Sequence, residues 1–139
     1  MTINDPIFGN MEYDCEWEKK EQISLWNKIY NVQIIVQSED DADDSISKVQ
    51  RDAYIFFKEK FSEMAEHGLS ELVSYCKTIL EFKSCSEKTF FESSTPIAIF
   101  FAINGDWGIL FDSRFDEENG IALMFSGDHW KVGPQDILI

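Results

Sequence analysis

Carboxylates are the side chains of this 139-residue sequence whose number and spacing could do chemistry, and many of them gather in two short segments. The acidic residues of these segments are Glu39, Asp40, Asp41, Asp43 and Asp44 in the first, and Asp112, Asp116, Glu117 and Glu118 in the second. Clustered carboxylates can coordinate calcium, transfer protons in general acid–base catalysis or attract a basic partner. The surrounding residues decide between these three possibilities.

Calcium binding and catalysis both lack the accompanying residues that they require. A calcium loop beginning at Asp41 would place Ile46 where glycine is needed. His67 and His129 are not at zinc-ligand spacing from a cysteine or from each other. The sequence contains no nucleophile-elbow, phosphate-loop or dinucleotide-binding motif, and isolated carboxylate pairs are expected by chance among 26 acidic residues. We therefore expect no enzymatic activity, no metal and no cofactor.

The third possibility, a basic partner, agrees with the charge of the whole chain. The formal net charge is −14 and the pI is about 4.3. The charge is regional, since residues 1–44 carry eleven acids and three bases, whereas residues 45–95 carry eight acids and seven bases. Such acidity disfavours direct binding to nucleic acid or to an anionic membrane, because phosphates would be repelled. It favours a basic protein partner, although acidic runs also commonly serve only as solvated turns that maintain solubility.

Aromatic residues near the acidic segments would supply the buried contacts that charge alone does not. Trp107, Phe115 and Trp130 are candidate anchors. Trp107 is the weakest of the three, because a tryptophan beside glycine in a hairpin more often packs inside, and the predicted anchors are therefore Phe115 and Trp130. The segment 11–18 alternates apolar and polar residues, so one of its faces should pack and the other should be acidic. The predicted partner-binding residues are Glu39, Asp40, Asp41, Asp43, Asp44, Asp112, Phe115, Asp116, Glu117, Glu118 and Trp130.

Composition indicates a single domain in the cytoplasm. Hydrophobic residues make up 44% of the sequence, which is ample for a packed core. The first ten residues do not resemble a signal peptide, and the longest apolar run, 96–103, is far shorter than the roughly 20 residues that span a bilayer. Three cysteines at irregular spacings favour free thiols in a reducing compartment.

The first half of the chain predicts a three-stranded meander followed by helices. Strands are expected at 11–18, 21–26 and 32–37, with one turn at Lys19 and Lys20 and another near residues 27–31. Ser47 and Gln50 fit a capping box, with Asp44 or Ser45 as alternative caps. The helix is expected from about residue 46 to residue 66 or 67, with Gly68 as its stop. A second helix should begin at Ser70, and residues 84–95 should form a connector.

The last third of the chain predicts strands again. An apolar run at 96–103 is typical of a buried strand, and Asn104-Gly105 is a strong hairpin signal. Further strands are expected at 107–112, 121–125, 129–132 and 136–139. Together, strands at about 10–37, helices at about 46–83 and strands at about 96–139 predict one α+β domain. In it, two central helices pack on one face of an antiparallel sheet.

Three segments of the C-terminal block carry a family resemblance. They are 106–112 (DWGILFD), 116–122 (DEENGIA) and 132–137 (VGPQDI). This block resembles an uncharacterised family of small bacterial domains with the pattern G-W-L-F-D, then E-H-G, then V-G-x-Q-D-I. Here Trp107 precedes the glycine, and Asn119 stands at the histidine position. The opening 5–9 (DPIFG) and the helical 51–54 (RDAY) are similar to the family as well.

The resemblance implies a binding function without catalysis. Members of this family have no established enzymatic activity, and some resemble immunity proteins of bacterial toxin and contact-dependent inhibition systems. An immunity protein neutralises a cognate toxin domain, commonly a basic RNase or DNase, by blocking its active site. We therefore expect an acidic immunity-type inhibitor. The alternative is a non-catalytic scaffold or adaptor domain in a bacterial regulatory complex.

Overall fold

A computed structural model describes residues 1–38 and 46–139. Eight strands, two α-helices and a terminal 3-10 helix follow one another along the chain. Their bounds are β1 (Thr2–Asp5), β2 (Gly9–Asp14), β3 (Glu16–Leu25), β4 (Lys28–Val36), α1 (Lys48–Thr78), α2 (Glu87–Ser93), β5 (Ser94–Phe101), β6 (Trp107–Ser113), β7 (Ile121–Ser126), β8 (His129–Gly133) and the 3-10 helix (Gln135–Ile137).

All eight strands form one sheet in the order of the sequence, from β1 to β8. Every neighbouring pair is antiparallel except β4 and β5. These two run parallel because the helical segment between them carries the chain back to the end of the sheet at which β4 begins. Both helices contribute to the large core on one face of the sheet. The expected α+β class is thus confirmed, with a sheet that is mostly antiparallel.

The N-terminal meander contains four strands, and one of its two expected turns lies elsewhere. The predicted turn at Lys19 and Lys20 is wrong, because both lysines lie inside β3. The chain instead reverses at Cys15, which has a positive φ. The turn expected near residues 27–31 is found at Trp26 and Asn27, also with positive φ, and β4 begins directly after it. Two successive residues with φ near +60° form the turn type that matches strand twist in a two-residue hairpin. Trp26 tolerates this backbone because its ring stacks on Phe111 and its indole N–H donates to the Ala65 carbonyl.

Helix α1 is a single helix of 31 residues, where the sequence predicted two. The capping box is confirmed, since Ser47 Oγ accepts from the Gln50 amide and Gln50 Oε1 accepts from the Ser47 amide. The predicted stop at Gly68 is wrong. A Cβ at this residue would collide with the side chain of Leu123 in β7, so the glycine permits close packing of helix on sheet. The predicted connector contains α2, which a second capping box at Ser86 begins.

The C-terminal strands follow the predicted pattern more closely. The structure confirms strands at the expected positions of β5, β6, β7 and β8, with Gly105 at positive φ in the first hairpin. The predicted strand at 136–139 is wrong, since this segment begins as a 3-10 helix. Leu138 and Ile137 pack there against a small second core on the opposite face of the sheet, formed by residues such as Phe100 and Leu110.

Candidate functional site

The structure bears on only some of the predicted partner-binding residues. The segment that contains Glu39, Asp40, Asp41, Asp43 and Asp44 lies outside the described residues. In the second acidic segment, Asp112 is exposed at the end of β6, and Glu117 and Glu118 are exposed in the loop before β7. The partly buried Asp116 organises this loop, since its Oδ1 accepts from the Asn119 amide at 3.1 Å.

The two predicted anchors lie in different parts of the molecule. Phe115 is half-buried, with its ring centroid 4.9 Å from that of Phe82 and 6.4 Å from that of Phe90. Its contacts therefore hold the loop to the core, and partner binding by Phe115 stays a prediction. Trp130 lies in β8, where it pairs with Phe125 at the end of β7, and Phe125 pairs in turn with Trp107 at the start of β6. The structure does not bring Trp130 and the acidic loop together.

An aromatic cluster surrounds Trp130. Its ring centroid lies 5.0 Å from that of Phe125 and 6.1 Å from that of Trp107, both in edge-on geometry. Trp107 is buried, as predicted, and Phe125 also stacks on Phe56 of α1 with centroids 5.6 Å apart. Edge-on and offset rings are the arrangements that aromatic side chains prefer. Trp130 is therefore held in place by packing while part of its surface stays accessible.

Helix α1 forms one wall of a groove above this cluster. Its core-facing stripe includes Ala53, Phe57 and Phe61, but a second stripe contains Val49 and Phe56, which remain 49% and 38% exposed. Two depressions of about 510 and 550 Å³ open along this stripe and share Phe56 and Phe125. We call this continuous surface the Trp130 groove. Its lining includes Val49, Asp52, Phe56, Asp106, Phe125, Asp128 and Trp130.

Acidic side chains line the depression nearer the start of α1. Asp52 pairs with Lys48 at 2.9 Å, Asp106 accepts from the Asn104 amide group at 3.1 Å, and Asp128 lies 3.5 Å from the His129 ring. Among the residues that the structure describes, no lysine or arginine lines this depression. The second depression is mixed in charge, with Lys60 and acidic residues of α1 along it. The groove therefore combines an apolar floor with a rim that is negative at one end.

A second acidic surface lies on the other face of the sheet, across β2 and β3. Glu12 pairs in register with Glu18, and Asp14 pairs with Glu16. We call these four residues the carboxylate row. Glu16 accepts from the Ser38 amide and Glu18 accepts from the Gln33 side chain. Within the described parts of the chain, none of the four forms a salt bridge.

The carboxylate row shows mutual repulsion. Partial burial raises the pKa of Glu18, and the charges of Asp14, Glu12 and Glu16 raise it further. Like charges directly opposite in a sheet are destabilising. Sequence reasoning expected an acidic face at 11–18 but treated these residues as one strand, and did not include them among the predicted binding residues. The missed signal was Cys15, in the middle of this segment. The chain turns at Cys15, so the segment forms a hairpin that brings the four acids together.

The half-buried charges between the sheet and α1 have a structural role. Glu21 accepts from Tyr54 at 2.6 Å and from Lys58 at 2.6 Å, and Lys19 donates to Tyr54 at 3.0 Å. Burial raises the pKa of Tyr54, and its hydrogen bond to Glu21 raises it further. Burial opposes ionisation of Glu21, but the hydrogen bonds from Lys58 and Tyr54 outweigh it and lower its pKa. Each half-buried charge thus has an oppositely charged or hydrogen-bonding partner, and these contacts link β3 to α1.

The described residues offer no evident metal centre or membrane span. Within 1–38 and 46–139, no three histidine, cysteine or acidic residues are grouped so that they could hold a metal ion. None of the helices in that part of the chain has the length and apolarity that crossing a bilayer requires. Cys76 and Cys85 are buried free thiols, and burial, followed by the proximity of Cys85, raises the pKa of Cys76 to about 12. A thiol with so high a pKa is a poor nucleophile at neutral pH.

Comparison with known proteins identifies a family but no characterised relative. No curated protein matches the chain. No solved structure matches it either. The sequence profile of one family matches residues 7–139, which include every element from β2 onwards and both acidic surfaces. The chain therefore belongs to the family described as a domain of unknown function, DUF6985.

Proposed function

We propose that this protein is an acidic immunity-type inhibitor that binds a cognate basic toxin domain, an RNase or DNase, and covers its active site. The family resemblance noted in the C-terminal block and the net charge of −14 both favour this function. It acts in the cytoplasm, where its exposed Cys15 thiol would stay reduced. Its role is binding alone, with no enzymatic step and no cofactor.

The observation that carries this proposal is the carboxylate row. Four acids stand in register on rigid strands, where Glu12 faces Glu18 and Asp14 faces Glu16, and their repulsion raises the pKa of Glu18 beyond the effect of burial. A solvated loop would let such charges move apart, whereas a sheet holds them together. A basic partner would relieve this repulsion on binding, so the energy lost in the free protein would be recovered in the complex.

The row also suits the surface of a nuclease. An enzyme that binds nucleic acid presents lysine and arginine side chains to phosphates. Carboxylates spaced along adjacent strands can occupy the same positions and exclude the phosphates by competition. Oppositely charged surfaces also accelerate encounter, which benefits an inhibitor that must reach its toxin before damage occurs.

The test is binding and protection against the toxin domain encoded beside this gene. We expect a stoichiometric complex, growth rescue on co-expression, and an association rate that falls as salt is raised. The double variant E12Q/E18Q should slow association about three- to tenfold, because it removes two directly opposed charges of the row. Stopped-flow fluorescence measures this rate.

The matched control is E59Q/E81Q, which makes the same change in net charge at exposed positions away from the row. If the control slows association as much as E12Q/E18Q does, total charge matters and the row does not. If neither the natural protein nor the variants bind the toxin or protect against it, the inhibitor proposal is wrong. A scaffold or adaptor role in a bacterial regulatory complex would then be the better hypothesis.

A further inference from the structure

We propose that the Trp130 groove is a docking site for an arginine-bearing, partly apolar segment of a basic partner protein. This inference rests on the proposed function and adds the place and the chemistry of a second contact. The carboxylate row lies on the opposite face of the sheet, so the two surfaces make separate contributions. The row attracts the partner over a distance, and the groove holds one segment of it.

The apolar part of the groove is the first step. Val49 and Phe56 lie seven residues apart on α1, which places them on the same side of the helix. Both remain substantially exposed although α1 has a complete core-facing stripe of its own. Exposed apolar side chains that border a depression, rather than standing singly, mark interaction sites.

The aromatic floor is the second step. Phe56, Phe125 and Trp130 are fixed by ring contacts at 5.6 and 5.0 Å, so little side-chain entropy remains to be lost when a partner binds. Partly exposed aromatic rings that are already ordered have the character of binding hot spots. The face of such a ring attracts a planar cation, and an arginine guanidinium stacks on it more readily than a lysine ammonium does.

The acidic rim is the third step and determines the charge of the occupant. Asp106 and Asp128 border the same depression as Phe56 and Phe125. The Asp106 carboxylate accepts from the Asn104 side chain, and Asp128 contacts the His129 ring. Asp52 adds a third carboxylate, which Lys48 partly neutralises. A phosphate or a sulfate would be repelled at this rim. An arginine guanidinium above the rings would donate charge-assisted hydrogen bonds to the carboxylates, while the aliphatic part of the arginine side chain covers Phe56.

The experiment is a titration of the isotopically labelled full chain with short blocked peptides, followed by amide and indole NMR signals. The probe is acetyl-Leu-Arg-Leu-amide, and acetyl-Leu-Glu-Leu-amide is its charge-reversed counterpart. We expect saturable shifts at Trp130, Val49 and Phe56 with the arginine peptide and none with the glutamate peptide. Shifts confined to the carboxylate row, or no saturable shift anywhere, would overturn the groove proposal.

Two variants separate the contributions of the rim and the floor. D106N/D128N should weaken the arginine peptide about tenfold, since it removes the two carboxylates without touching the rings. V49S/F56S should weaken it to a similar extent by removing the exposed apolar wall. The matched apolar control is Ile29→Ser, at a residue that is 73% exposed outside the groove. Equal weakening by the control would count against the groove, and circular dichroism checks that each variant is folded.

The same variants tested against the cognate toxin distinguish this inference from the function on which it rests. If E12Q/E18Q slows association and D106N/D128N leaves the dissociation rate unchanged, the inhibitor function stands and the groove is not its docking site. If D106N/D128N accelerates dissociation about tenfold, the groove is part of the complex. If the toxin does not bind any form, the inhibitor function fails, and the peptide titration alone then decides whether the groove accepts arginine.

Discussion

Asp5 shows how a single buried charge organises the N-terminal end of the fold. Its side chain is only 1% exposed, and it accepts from the amides of Ile7 and Phe8 at 3.0 Å and from two guanidinium nitrogens of Arg51. Burial opposes its ionisation, but the hydrogen bond from Arg51 and those from Phe8 and Ile7 outweigh burial and lower the pKa of Asp5. One carboxylate thus closes the β1–β2 turn and attaches it to α1.

The change Asp5→Asn should lower the free energy of unfolding by about 2 kcal/mol near neutral pH, because it leaves Arg51 without its buried partner. The matched control is Asp52→Asn, which breaks the exposed pair with Lys48 and should cost less than about 0.5 kcal/mol. Urea unfolding followed by circular dichroism measures both. Equal costs would show that the Asp5 pair contributes no more than a surface pair.

The difference in unfolding free energy between the natural protein and Asp5→Asn should depend on pH with a definite sign. A carboxylate with a lowered pKa in the folded state contributes stability above its ordinary pKa of 3.8 and loses that contribution as the pH falls through the folded value. The gap between the natural protein and Asp5→Asn should therefore narrow in acid. A gap that widened on acidification would contradict the lowered pKa.

At the scale of elements, the packing of α1 on the sheet depends on Gly68. A helix interior normally disfavours glycine by about 1 kcal/mol relative to alanine. The structure nevertheless has glycine where α1 passes over β7, because a methyl group would meet the side chain of Leu123. Leu123 is fully buried and has little room to move aside. The glycine therefore determines how closely the helix approaches the sheet.

The change Gly68→Ala should destabilise the protein by about 1–3 kcal/mol, since overpacking outweighs the better helix propensity. In a Leu123→Ala background the same change should become neutral or stabilising, because the new methyl group enters the space that the leucine vacated. Thermal unfolding of the four proteins in this cycle measures the coupling. An identical effect of Gly68→Ala in both backgrounds would exclude the contact with Leu123 as its cause.

Elements whose signals are local could be predicted from the sequence. The capping box at Ser47, the Asn104-Gly105 hairpin and the four strands around it depend on neighbouring residues, and the structure confirms them. Gly68 was misread because the reason for it, Leu123, is distant in sequence. The lysines at 19 and 20 were interpreted as a turn because the partner of Lys19, Tyr54, lies 35 residues away and gives no local signal.

In the candidate site, too, local signals could be predicted and contacts between distant residues could not. Trp130 was predicted as an anchor from its residue type and its nearby acids, and the structure places it in a groove. The opposite wall, with Val49 and Phe56, comes from α1 and could not be associated with Trp130 without the fold. The carboxylate row required knowledge of the turn at Cys15, a residue type that does not usually indicate one.

At the scale of the whole molecule, the net charge of −14 opposes compaction. Exposed acids repel one another across the surface, and salt at 0.1 M screens such repulsion beyond about 10 Å. Part of the repulsion is local, because the carboxylate row holds four charges on two adjacent strands. The stability of the protein should therefore depend on ionic strength.

We expect the melting temperature to rise as sodium chloride is added at neutral pH. The variant E12Q/E18Q should start higher at low salt, by an amount that corresponds to about 1 kcal/mol or less, and should gain less from salt. E59Q/E81Q, with the same change in net charge, should resemble the natural protein more closely. Differential scanning calorimetry at several salt concentrations measures these trends, and a melting temperature that is independent of salt would contradict them.

The single parallel pair in the sheet has a consequence for how the chain folds. Strands β1–β4 and β5–β8 each pair with their immediate neighbours in sequence, whereas β4 and β5 meet only after the whole helical segment has been traversed. Pairing between adjacent hairpins is fast, and closing a long loop is slow because its entropy cost precedes any gain from contacts. Gln50 donates to the carbonyls of both Gln37 and Phe101 at this junction. This topology favours a folding order in which the two halves of the sheet form early and join late. The start of α1 would stabilise the junction between them.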